Sequence, residues 1–306
     1  MRSGLTASFG RFRPWLFSPG SELQLSAVLT GLAALIGLQL AFFPWSELAG
    51  LPPSLWRPVP VLLFLHSMPP AGVIVGLQLV GVVAAALAAA GRRRRATLAV
   101  AWLAYFALAA LRASRGKIQH NDLLLLIGCI PFLAAPPTRW LHRATTRRSA
   151  RWGWPVHTAL TFVAGAYFFT GLRKLTVSGI AWVTSDNMRW ILYAGANGKA
   201  KVPELALFIA DRPWLSHLAA AGVMGFELGF PFLLLRRRLR PAVVAVAFAF
   251  HGGTWLTLGL DYWKYALVVA LLLVDWSPPV LRLRRSVEGW RPWINRTPTS
   301  STPSSA

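Results

Sequence analysis

Charge is scarce in this chain. Of its 306 residues only 14% are Asp, Glu, Lys or Arg, against about 25% in an ordinary soluble domain. Cysteine is scarcer: Cys129 is alone, which excludes an intrachain disulfide and a thiolate metal cluster. Set among Leu, Ile and Pro, it reads as a small core residue. The sequence also lacks a nucleotide fingerprint, a phosphate loop and a paired-histidine metal motif, so no metal is expected. What it has instead is apolar surface in long blocks, 55% hydrophobic residues overall, more than a compact water-soluble core can hide.

The formal charge of +22 would suit a nucleic-acid partner if it were spread over an aromatic platform. It is not. Arg92 to Arg95 follow one apolar block and Arg236 to Arg238 follow another, the flanking pattern of membrane spans facing anionic lipid. The expected partner is therefore the lipid bilayer, not nucleic acid.

A hydrocarbon core of about 30 Å takes roughly 20 apolar residues per helix. The blocks predict spans at 23–43, 71–90, 97–111, 123–135, 154–172, 217–235, 241–260 and 265–276. The fourth and eighth are short, so the count is eight, or seven if one of them does not cross. The expected fold is an all-α polytopic membrane bundle with both termini cytoplasmic. A cytoplasmic segment 1–22 would precede the transmembrane domain 23–276, and a tail 277–306, basic and then disordered, would follow it. Arg2, Arg11 and Arg13 stand before the first block, which reads as an uncleaved signal anchor.

Cation placement supports this map. Starting inside, the cytoplasmic segments are the amino terminus, 92–95, 139–151, 236–240 and 282–291, all rich in arginine, whereas the opposite loops hold Asp186, Glu204, Asp211 and Asp261. One connection, 112–122, breaks the pattern with Arg112, Arg115 and Lys117 placed outside, and is expected to fold back against protein. Asn121 or Asp122 would cap the helix after it. The long outer segment 176–216 carries Trp182, Trp190 and Trp214, which suit an interface. Within it 203–210 fits a short amphipathic helix and 194–198 a loop.

Ionisable groups in or beside spans are the candidates for chemistry. Glu227 lies nine residues from Arg236 and His251 ten from Pro241, so both sit about 14 Å from the same surface. Depth alone predicts a Glu227–His251 hydrogen bond, which would either orient two helices or relay protons. Lys174 closes the fifth span and would either snorkel to the headgroups or, partly buried, act as a base. His120 faces the same side and gains interest only in that company.

Read in order, several pieces resemble a known membrane domain. They are Gly116 to Asp122 (GKIQHND), Tyr167 to Leu175 (YFFTGLRKL), Ser178 to Val183 (SGIAWV), Phe226-Glu227-Leu228, and His251 with Gly259 eight residues on. Together they resemble the HTTM (horizontally transferred transmembrane) family of bacterial proteins and the membrane domain of vitamin K-dependent gamma-carboxylase, over roughly 112–276. In that carboxylase a lysine in the piece matching Lys174 deprotonates the vitamin K hydroquinone, and a histidine in the piece matching 120–121 stabilises a carbanion. The resemblance implies a reduced quinone of the vitamin K or menaquinone type as cofactor. It implies Lys174 as base and His120 or Asn121 as stabiliser, with chemistry on the outer face of the cell membrane. In this sequence the histidine precedes Asn121, where the family histidine follows an asparagine. The residues after 276 are too few for the lumenal domain with which the carboxylase holds its protein substrate, so quinol binding or oxidation is expected rather than glutamate carboxylation. The rival expectation is a carrier or partner subunit that uses Glu227 and His251 for proton coupling.

Overall fold

The computed structural model describes residues 14–116, 120–234 and 236–294. Within them the regular structure is helical, apart from a two-residue antiparallel pairing of Gly20–Ser21 with Arg148–Ser149. The helices are α1 (Glu22–Phe42), α2 (Ala71–Ala89), α3 (Arg94–Ala113), α4 (Leu123–Leu133), α5 (Ala150–Ser178), α6 (Ala181–Thr184) and α7 (Asn187–Ala196). There follow α8 (Pro203–Ala210), α9 (Pro213–Leu234), α10 (Arg240–Leu258), α11 (Trp263–Leu273) and α12 (Ser277–Ile294). Each of the eight expected spans coincides with one of these helices.

Five of them, α1, α2, α3, α9 and α10, are long and apolar enough to cross a membrane, and α11 with α12 makes a sixth if that pair, bent by 84°, counts as one span. The molecule thus has the helices of a multi-pass membrane protein. Helix α5, with 29 residues, is the longest, but it is less apolar. Helix α4, with 11 residues, reaches only about 16 Å.

The faces these helices expose are themselves apolar. Helix α2 turns Gly81, Ala84, Ala85 and Ala88 inward, while Val80 and Val83 are 55% and 58% exposed. A Cβ at Gly81 would stand 2.7 Å from Leu40 and 2.9 Å from Ala104. Small residues inward and branched ones outward suit helices that approach closely with lipid on the far side. Cys129 is fully buried.

Helix α1 begins where Ser21 Oγ accepts the Gln24 N–H at 3.0 Å, an N-cap. Glu22 beside it accepts the backbone N–H groups of Arg139, at 2.7 Å, and Thr145, at 3.1 Å, which ties the arginine-rich segment 139–151 to the bundle. Between α1 and α2 the chain makes three short 3-10 turns, Trp45–Gly50, Pro53–Leu55 and Pro60–Leu62. Helices α1, α2 and α3 pack together, α5 packs on α4 and α9, and α10 packs on α11.

One local expectation changes. Residues 194–196 are the last turn of α7 rather than loop, because Gly195 is a packing residue whose Cβ would stand 2.5 Å from the Thr257 carbonyl oxygen. The basic part of the tail forms α12. The N-terminal arginines, residues 117–119, Leu235 and the Ser/Thr-rich end 297–306 lie outside the described residues.

Candidate functional site

Tyr167, Gly171 and Lys174 follow one another at i, i+4 and i+7 along α5, so they share one face of that helix. Helix α9 lies against this face because Gly171 leaves it room. A Cβ there would stand 3.0 Å from the Glu227 Cβ and 3.0 Å from Leu228 Cγ. One turn further on, Lys174 Nζ reaches both oxygens of Glu227, at 2.5 and 2.6 Å. The lysine side chain is 23% exposed and the glutamate side chain 5%. Lys174 therefore does not snorkel outward. It turns inward onto a carboxylate held in the bundle.

Helix α5 ends at Gly179, whose φ of +59° a residue with a Cβ rarely adopts. The turn it permits carries Trp182 of α6 over Lys174, with Nζ 4.8 Å from the ring centroid. The ring face and the carboxylate both favour the ammonium, and between them they screen it from solvent.

One turn to the other side of Gly171, the Tyr167 hydroxyl stands 2.6 Å from His251 Nε2. His251 is buried and its Nδ1 has no hydrogen-bond partner among the described residues. Around this pair are Phe226, 5.2 Å from Tyr167, Phe230, 4.7 Å from Tyr167, and Tyr265, 5.5 Å from His251, between ring centroids. Tyr262 packs tilted against Tyr265 at 5.3 Å between ring centroids, and burial raises the Tyr262 phenol above the usual range.

The Glu227–His251 hydrogen bond expected from depth is not formed. Equal depth places two residues at one level without fixing which way each faces. Glu227 turns toward α5 and Lys174, and His251 toward Tyr167. His120 is exposed and is held through its carbonyl oxygen, which accepts the Tyr265 hydroxyl. Among the described residues no hydrogen bond or ion pair joins His120 or Asn121 to Lys174. His120 borders the tyrosine–histidine cluster, through Tyr265, rather than the ion pair.

A second polar centre, not expected from the sequence, surrounds Asp122. Asp122 stands at the N-cap of α4, but its side chain makes no cap. One oxygen accepts the Tyr105 hydroxyl at 2.5 Å and the other pairs with Arg112. Lys264, fully buried, lies 3.5 Å from Asp122 and 2.7 Å from Asp261, and donates to Gln39 Oε1 at 3.1 Å. Arg112 also stacks on Phe43, 4.7 Å from the ring centroid. Two cations and two carboxylates balance here. The available signal was four ionisable residues at the ends of apolar blocks with signs that cancel. Among the described residues no three His, Cys, Asp or Glu side chains converge as a metal site.

The motif segments 167–175, 178–183, 226–228 and 251 thus meet in one place: an ion pair under a tryptophan, one helical turn from a tyrosine–histidine pair inside an aromatic cage. No family model, curated protein or solved structure matches the chain.

Proposed function

We propose that this is a membrane protein of the HTTM type with a carboxylase-like core, in which Lys174 and Glu227 exchange a proton with a quinol at the outer face of the cell membrane. The proposed topology has eight crossings and both termini in the cytoplasm. The observation that carries the reading is the Lys174–Glu227 pair, recessed and roofed by Trp182. A lysine that is to remove a proton must first give one up, and the Glu227 carboxylate 2.6 Å away can take it without solvent. The proton can pass within the pair, and the amine left while Glu227 holds it is the base.

The quinol hydroxyl would deliver its proton to Lys174. Oxygen would then add to the anion, and the net change would be quinol plus oxygen to epoxide plus water. The tyrosine–histidine cluster offers flat apolar walls for the ring. His120, Asn121 and His251 take supporting roles in this reading.

The test supplies purified protein with reduced menaquinone or vitamin K, oxygen and bicarbonate, and measures epoxide. Wild type is expected to form it, with loss in Lys174→Ala and Glu227→Gln. Equal formation by wild type and Lys174→Ala would remove the proposed base. Organic extraction of the purified protein should also release a stoichiometric quinone. The rival reading, a non-enzymatic carrier coupled through Glu227 and His251, has lost their direct contact. Flux into proteoliposomes that Glu227→Gln abolishes would restore it.

A further inference from the structure

The connection between α1 and α2 folds over the C-terminal end of α3 and frames a partly open cavity of about 140 Å³. None of its lining residues belongs to the Lys174–Glu227 site. Its walls are fastened by the chain itself. The Arg57 N–H donates to the Ser114 carbonyl at 2.8 Å and the Val59 N–H to Ser114 Oγ at 3.1 Å. Trp56 Nε1 closes the loop onto the Leu65 carbonyl at 3.3 Å. Ser114 is fully buried. A cavity held open in this way is already shaped for a ligand.

The lining is chemically one-sided. Leu51, Trp56 and Met68 give it apolar walls, and its polar side chains are Arg115, His66, Ser67 and Ser114. No carboxylate lines it among the described residues. Arg115 contrasts with Arg112 one turn earlier: Arg112 is matched by Asp122, whereas the Arg115 guanidinium makes no hydrogen bond or ion pair among the described residues. Burial, and then the nearby Arg112, draw Arg115 below its usual pKa, and a bound negative charge would oppose both effects.

The volume sets the size of the guest. A cavity of about 150 Å³ holds benzene, so this one takes a body of about six carbon atoms. A guanidinium binds a carboxylate through two parallel hydrogen bonds. We propose that this cavity binds a small monocarboxylate with a compact apolar body, its carboxylate on Arg115 and its body against Trp56 and Met68. A phosphate-bearing lipid headgroup shares the charge but offers nothing to the apolar walls.

The probe is para-fluorobenzoate, followed by fluorine NMR on the full chain in an uncharged detergent. The expected result is saturable line broadening that benzoate reverses and inorganic phosphate does not. Binding should weaken roughly tenfold or more in Arg115→Gln, the size of effect expected for loss of a charge-assisted hydrogen bond, and be retained in Arg115→Lys. Met68→Trp, which fills the cavity and leaves Arg115 in place, should abolish it. Neutral para-fluorobenzamide should not bind. Undiminished binding in Arg115→Gln, equal binding of the amide, or the absence of saturable binding would overturn the proposal. Displacement by phosphate but not by benzoate would also overturn it and assign the site to a headgroup.

Discussion

Gly171 and Glu227 meet across the α5–α9 contact, where a Cβ on the glycine would stand 3.0 Å from the Glu227 Cβ. This approach lets the carboxylate reach Lys174 one turn away. The size of the substituent should decide the outcome of mutation. An alanine at 171 overlaps slightly, but it gains about 1 kcal/mol of helix propensity over glycine, so Gly171→Ala should melt close to wild type. A leucine must push α9 aside, at about 1–3 kcal/mol for an overpacked core. Gly171→Leu should therefore lower the melting temperature in detergent and separate Lys174 from Glu227. Equal melting of the leucine variant and wild type would show that the helices are not held at this distance.

The Tyr167–His251 hydrogen bond gives a second, independent test. Tyr167→Phe keeps the ring contacts with Phe226 and Phe230 but leaves Nε2 of a buried imidazole without its partner. Leaving one buried polar group unsatisfied costs about 1–3 kcal/mol. Tyr167→Phe should be destabilised by that amount, and adding His251→Leu should cost less than the sum of the single changes. A double-mutant cycle by thermal melting measures the coupling, expected at about 0.5–3 kcal/mol. Strict additivity would mean that the bond contributes nothing.

The charge cluster around Asp122 predicts an order of effects. Asp122 serves Arg112, Tyr105 and Lys264 together, so Asp122→Asn strands the buried Arg112 and leaves Lys264 with Asp261 alone. Lys264→Gln leaves Asp122 still paired with Arg112. Arg139, by contrast, has a side chain 64% exposed beside Glu22, and solvent screens that pair. Breaking a buried pair costs about 3–5 kcal/mol and an exposed one about 0–1 kcal/mol. Melting temperatures should fall most for Asp122→Asn, less for Lys264→Gln and hardly at all for Arg139→Gln. A different ranking would show that the cluster does not carry its charges dry.

The helices were more legible in the sequence than the site, for a physical reason. Helix α1 was expected at 23–43 and runs Glu22–Phe42, because its limits are local: a serine cap at one end and Pro44 beyond the other. Helix α5 was expected at 154–172 and runs Ala150–Ser178. Its last turns carry Arg173 and Lys174 and are covered by Glu227 from α9 and by Trp182 from beyond the Gly179 turn, which apolar run lengths do not register. Lys174, Glu227 and His251 each stood out as ionisable groups in or beside apolar blocks. Their pairing did not, because depth follows from counting residues while facing depends on rotation about the helix axis, about 100° per residue. Asp122 looked like a cap for the same reason. Its position was right, and its partners come from α3 and α11.

The proposed topology can be tested with single cysteines, since Cys129 is fully buried and leaves the native chain silent to a membrane-impermeant maleimide. Asp186 precedes α7 and Arg238 lies between α9 and α10, and both are exposed. Asp186→Cys should label in intact cells and Arg238→Cys only after permeabilisation. The harder question is α4, whose 11 residues are too few to cross about 30 Å of hydrocarbon alone. His120 and Arg143 are exposed on either side of it. If the segment containing α4 crosses, shielded by α3, α5 and α11, His120→Cys should label from outside and Arg143→Cys only from inside. Labelling of both from one side would make α4 a re-entrant helix, and the remaining spans could not then total eight with both termini in the cytoplasm. Lys174 and the Arg115 cavity would still share a face only if α3 and α5 each end on the side where Asp186→Cys reacts.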